Sequence, residues 1–122
     1  MITMIAIAFG GALGALARYS VGIGAAALLG PGFPLATLLV NVLGSFTIGL
    51  CYVFFVESAD NSGVLRAFIM VGFLGAFTTF STFSVETLQL LESGQLAKSL
   101  LNVASNVAFC LLACWMGLSI AR

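Results

Sequence analysis

The chain has 122 residues, 61% of them hydrophobic and only 7% charged, with four basic and four acidic side chains and no histidine. A soluble domain carries about 25% charged residues, and one this short has too little interior to hide so much apolar surface. Lipid is the solvent that fits, nothing points to a nucleic-acid partner, and the commonest general base and metal ligand is missing.

A bilayer core is crossed by about 20 apolar residues in a helix. Residues 2–17 carry no charge and apolar character resumes after Arg18, which predicts helix one over 2–29. The run resembles a signal peptide in position, but it lacks a basic n-region and three more spans follow, so it is read as retained. Gly30-Pro31-Gly32-Phe33-Pro34 is a breaker cluster and a tight reversal. Helix two is expected over 35–56, followed by a polar loop, ESADNSG, at 57–63. Helix three is expected over 65–91, then the short loop Glu92-Ser93-Gly94-Gln95, then helix four over 97–121. The whole is one transmembrane domain without a tandem repeat. Gly10-x-x-x-Gly14, Gly11-x-x-x-Ala15 and Ser45-x-x-x-Gly49 have the small-residue spacing that lets helices touch. Cys51, Cys110 and Cys114 form no CxxC and lie in apolar runs, so they read as small packing residues.

The middle of helix three, residues 72–84, reads GFLGAFTTFSTFS, with two glycines and five hydroxyl side chains at membrane depth. Gly and β-branched Thr are weak helix formers, and Ser and Thr offer the backbone alternative partners. Two readings stand: a helix broken there, its freed backbone groups covered by protein or a wet cavity, or an unbroken Ser/Thr-rich helix packed closely on its neighbours.

Four spans put the N-terminus, the 57–66 loop and the C-terminus at one end, with Arg66 and Arg122. The other end holds the 30–34 and 92–98 loops, with Lys98 there and Arg18 toward it. Orientation follows an excess of Lys and Arg on the cytoplasmic side. A two-against-two count supplies none, which favours insertion both ways round over the alternative that one basic residue dominates.

Polar residues recur at depth. Thr37, Asn41 and Ser45 share one face of helix two, and Asn102, Ser105 and Asn106 one face of helix four. Such residues mark a solute path or hydrogen-bond helices together; stripes on three helices favour a path. Phe80 and Phe83 lie i, i+3 inside the hydroxyl run; two readings stand, ordinary packing, which is what most such rings do, or ring edges whose positive charge steadies a small anion without a fixed charge. Glu86 follows one turn later. Arg18 and Glu86 are the charges nearest the membrane interior, set to pair or to line a vestibule.

These residues carry a close resemblance to the small fluoride channels, the Fluc/CrcB family. The matching pieces are Gly10-Gly11-x-x-Gly14-Ala15-x-x-Arg18-Tyr19, then Thr37-Leu-x-Val40-Asn41-x-x-Gly44-Ser45-Phe46-x-x-Gly49, and in helix three Gly72-Phe73-x-Gly75-x-Phe77-Thr78-Thr79-Phe80-Ser81-Thr82-Phe83-Ser84-x-Glu86. The likeness spans the chain in length and helix count; the TTFSTFS core is specific, and helix four matches only loosely. It implies an all-α protein of the bacterial inner membrane, with helix three broken near its middle, working in lipid as an antiparallel, dual-topology homodimer with two pores. Fluoride would leave the cytoplasm passively. By match, Phe80 and Phe83 would turn ring edges to the ion and Asn41 would donate a hydrogen bond. Ser81 and Thr82 would continue a polar track, with Ser105 as the helix-four hydroxyl. A structural sodium ion would be held by backbone carbonyls of Gly75 and Thr78 from both subunits. Many relatives have a Tyr on helix four, whereas the tyrosines here are Tyr19 and Tyr52, so the far end of the track has no match.

Two other readings are weaker. A small multidrug-type exporter needs a carboxylate in helix one, where the only charge is Arg18. A non-transporting assembly subunit would leave the buried polar stripes without a task. No nucleophile–base pair or metal cluster suggests an enzyme.

Overall fold

Four apolar helices carry the residues described by the computed structural model, 1–59 and 61–122. They run Ile2–Leu29 (helix 1), Leu35–Glu57 (helix 2), Gly63–Glu92 (helix 3) and Leu96–Ala121 (helix 4), each long and apolar enough to cross a membrane. There is no strand among the described residues. The chain is a multi-pass, all-helical membrane protein. The predicted 57–63 loop includes Asp60, which lies outside the described residues.

Helix 1 stops where Gly30 takes a φ of +71°, a conformation that costs glycine nothing, and Gly30 N–H closes the last turn on Ala26 O at 3.2 Å. Proline then opens helix 2, with Pro34 at its N-terminal boundary. The last turn of helix 2, Val53–Glu57, is wound more widely, as a π-helix.

Helix 3 is the least regular. It starts as an ordinary turn, Gly63–Arg66, widens to π-helical winding over Ala67–Leu74, and tightens again at Gly75–Phe77. Thr78 (φ −84°, ψ 156°) and Thr79 (φ −151°, ψ 113°) are extended, and helical winding resumes at Phe80–Glu92. Gly63–Phe77 is called 3N below and Phe80–Glu92 is called 3C. Thr79 caps 3C: its Oγ1 accepts the Thr82 N–H at 3.2 Å.

The helices pack as two pairs, helix 1 against 3N and helix 2 against helix 4, while 3C leans on helix 4. Between helices in lipid there is no hydrophobic driving force, so close fit must supply the attraction. Glycine makes that fit. A Cβ on Gly10 would overlap Phe68 O, and one on Gly14 would overlap Phe73 O; from the facing side, one on Gly72 would lie 2.7 Å from Ile7 O. Gly49 and Gly117 clasp helices 2 and 4 in the same manner, against Cys114 O and Phe46 O. Outward, Phe9, Leu16 and Trp115 are more than half exposed, as lipid-facing side chains are.

Candidate functional site

The Thr78 N–H still closes a helical turn on Leu74 O at 3.1 Å, but the backbone N–H and C=O of Thr79 have left the helix and need other partners. Asn41 on helix 2 supplies them. The Thr79 N–H donates to Asn41 Oδ1 at 2.8 Å, and Asn41 Nδ2 donates back to Thr79 O at 3.1 Å. Nδ2 also donates to Asn106 Oδ1 on helix 4, again at 3.1 Å. One amide thus ties together three helices inside the bundle. The seam continues along helix 4. Asn106 Nδ2 donates to Asn102 O and Oδ1, and Asn102 Nδ2 donates to Thr87 Oγ1 on 3C at 2.9 Å. Ser99 Oγ closes it on Thr87 O at 3.0 Å.

Beside Asn41 lies a groove of about 430 Å³, open on one side and walled by helices 2, 3 and 4. Asn41, Gly75, Thr78, Phe80, Phe83 and Asn106 line it, and no Lys or Arg is among its lining residues. The two rings sit 5.2 Å apart at 55°. They differ sharply in cover: Phe83 is 7% exposed and Phe80 77%. Gly44 lets helix 2 approach here, since a Cβ would overlap the Thr78 methyl. Ser45 and Cys110 also line the groove.

The remaining predicted residues fall in three places. Thr37 and Glu86 meet, with Thr37 Oγ1 donating to Glu86 Oε1 at 2.6 Å, in a separate polar pocket of about 380 Å³ beside the 30–34 turn. Glu86 Oε2 is buried and has no hydrogen-bond partner among the described residues. Ser81 and Thr82 do not line the groove; their hydroxyls lie 3.3 and 2.9 Å from Thr79 Oγ1. Ser105 is buried but is not on the groove wall, where Asn106 stands instead. Arg18 does not pair with Glu86: the only ion pair among the described residues joins Arg122 to Glu57.

Gly75 and Thr78 flank the break in helix 3 and line the groove. The amide that would close a helical turn on Gly75 O is that of Thr79, which is spent on Asn41, and Thr78 is extended. A neutral backbone oxygen freed in this way is of the chemical kind that suits a hard cation.

Thr79, Asn102, Asn106 and Thr87 complete the site, and of these only Thr87 carries no signal in the sequence. The two asparagines were visible as a buried face of helix four. The Gly- and Thr-rich run pointed to a break near Thr79, but the pairing of Thr87 with helix 4 depends on helix rotation, which leaves no mark in a residue pattern.

Fold and groove together define a small multi-pass membrane protein with a polar seam inside the bundle. The chain belongs to the CrcB-like protein family: residues 5–118 match the family described as "CrcB-like protein, Camphor Resistance (CrcB)". It is 48% identical over 116 residues to a protein of Magnetococcus marinus, covering 95% of this chain and 94% of the relative. It is 48% identical over 122 residues to one of Geobacter sulfurreducens, covering 100% and 98%. A Methylococcus capsulatus protein is 50% identical over 121 residues, 99% of this chain but 53% of the relative, so the chain spans about half the length of that protein. All three are named "Fluoride-specific ion channel FluC".

Proposed function

We propose that the chain conducts fluoride passively out of the cytoplasm, as one half of an antiparallel homodimer in the bacterial inner membrane. The groove carries this reading: an amide, two phenyl rings and hydroxyls, with no Lys or Arg among its lining residues. A small anion sheds water only where several weak donors replace its shell, and it leaves again only if none holds it too tightly. Phenyl edges carry partial positive charge, and an amide N–H donates without a net charge. The relatives' names support fluoride as the ion.

The open side of the groove, where Phe80 is 77% exposed, is where a second copy fits, and two copies give two pores. The even basic count supports opposite insertion of the two chains. Carbonyls of Gly75 and Thr78 from both subunits would hold a structural sodium ion where the chains meet. Ser81 and Thr82 would continue the track past the rings. Thr37, Glu86 and Arg18 would form its mouth at the end bearing the 30–34 turn.

Efflux from liposomes containing the purified protein tests the reading: fluoride leaves fast and chloride is retained. Equal passage of chloride overturns it. Three lysines added to the 57–66 loop should force one orientation and abolish activity until an oppositely biased partner is supplied. Full activity of the biased chain alone overturns antiparallel assembly.

A further inference from the structure

A primary amide packs nearly as well either way round, so its hydrogen-bond partners decide which edge faces a ligand. Two backbone groups settle the matter here. The Thr79 N–H can only donate, so it takes Asn41 Oδ1, at 2.8 Å. The Asn102 carbonyl can only accept, so it takes Asn106 Nδ2, at 2.9 Å. Asn106 Oδ1 is thereby left facing Asn41 Nδ2. Asn102 Oδ1 receives the same Asn106 amide, which turns its own Nδ2 to Thr87 Oγ1, whose single proton goes to Phe83 O at 2.7 Å. Every link donates in one sense, from Asn41 along helix 4 and into the backbone of Phe83.

We infer that Thr87, Asn102 and Asn106 are positioning residues that hold Asn41 with its N–H edge on the groove wall. What that edge does there rests on the channel reading above. Asn102 is 0% exposed and Asn106 6%, so reversing either amide alone would bury unsatisfied donors and acceptors. Reversing them all would set donor against donor at the Thr79 N–H and acceptor against acceptor at the Asn102 carbonyl, so the relay runs in one sense. Asn41 and Asn106 both line the groove, while Thr87 and Asn102 do not. An anion arriving beside Phe83 takes the Asn41 N–H now given to Asn106, and Asn106 Oδ1 receives it back when the ion leaves. Asn106 sets the donor's direction without serving as the ion's ligand.

The test uses residues away from the groove. The chain has four asparagines, so selective ¹⁵N-asparagine labelling of the full-length protein gives few side-chain amide signals. Thr87→Val removes the relay's terminal hydroxyl at nearly constant volume; Thr87→Ser keeps it. Thr87→Val is expected to shift the side-chain amide signals of Asn102, Asn106 and Asn41, to speed hydrogen exchange at Asn41, and to cut fluoride flux at least tenfold. Thr87→Ser is expected to restore all three. If Thr87→Val does not fold, Asn102→Leu carries the test: it removes Asn102 Oδ1, one of the two acceptors of the Asn106 amide, and a shift at Asn41 is expected. Unchanged Asn41 signals in a folded Thr87→Val or Asn102→Leu protein overturn the relay. A wild-type protein that passes no fluoride overturns the channel reading instead, and the amide signals still decide the relay.

Discussion

The helix 1–3N contact and the helix 2–3C–4 seam solve one problem by opposite means. In the first, glycines bring backbones together until Gly14 meets Phe73 O and Gly72 meets Ile7 O, and shape alone supplies the attraction. In the second, amides and hydroxyls bind the helices directionally through Asn41, Asn106, Asn102 and Thr87. The clasp leaves no room for solute, whereas the seam borders an open groove. Helix 3 belongs to both, and Thr78 and Thr79 mark the handover. What assembles the bundle is thus largely separate from what presents polar groups to the groove, and each can be damaged with limited harm to the other.

The largest effect is expected from the clasp. Gly14→Leu drives a side chain into Phe73 O and should yield no folded protein on size-exclusion in detergent; Gly14→Ala, still overpacked, should lose about 1–3 kcal/mol. Gly24, with open space around it, is the control, and Gly24→Ala should leave the unfolding midpoint unchanged.

Next come the rings, which separate packing from passage. Phe83→Ala should cost about 3 kcal/mol by SDS titration, because the ring is buried, while Phe80→Ala should cost a single chain far less. Phe80→Ile and Phe83→Ile keep bulk and lose the positive edge. Both should fold and dimerise yet conduct fluoride poorly, with Met better tolerated than Ile. Wild-type flux in folded Ile variants would make the rings mere packing.

Asn41→Leu removes three hydrogen bonds and strands the Thr79 N–H. A loss of about 2 kcal/mol is expected, with fluoride efflux abolished and the helix 1–3N contact intact by cysteine cross-linking. The smallest effect belongs to Arg122→Gln. Its pair with Glu57 is exposed and lies outside both regions, so flux and unfolding midpoint should match wild type at physiological salt.

Much of the architecture was legible before any coordinates. Low charge and four long apolar runs dictate a membrane protein, because a bilayer demands about 20 apolar residues per span with every backbone group satisfied internally. The Gly30–Pro34 reversal was equally plain, since glycine and proline act on their own dihedrals. These are local properties, and a residue carries them wherever it lies.

Partnership is not local. Asn41 meets Thr79 and Asn106 across 38 and 65 positions of chain. The resemblance points to Ser105 on helix four, yet Asn106, one position on and about 100° round the helix, reaches the groove wall. Glu86 takes Thr37 rather than Arg18. Composition set which helices cross the bilayer and which of their faces are polar. Only the tertiary structure decided which polar groups meet, because that depends on how far each helix is rotated and how closely glycine lets its neighbour approach.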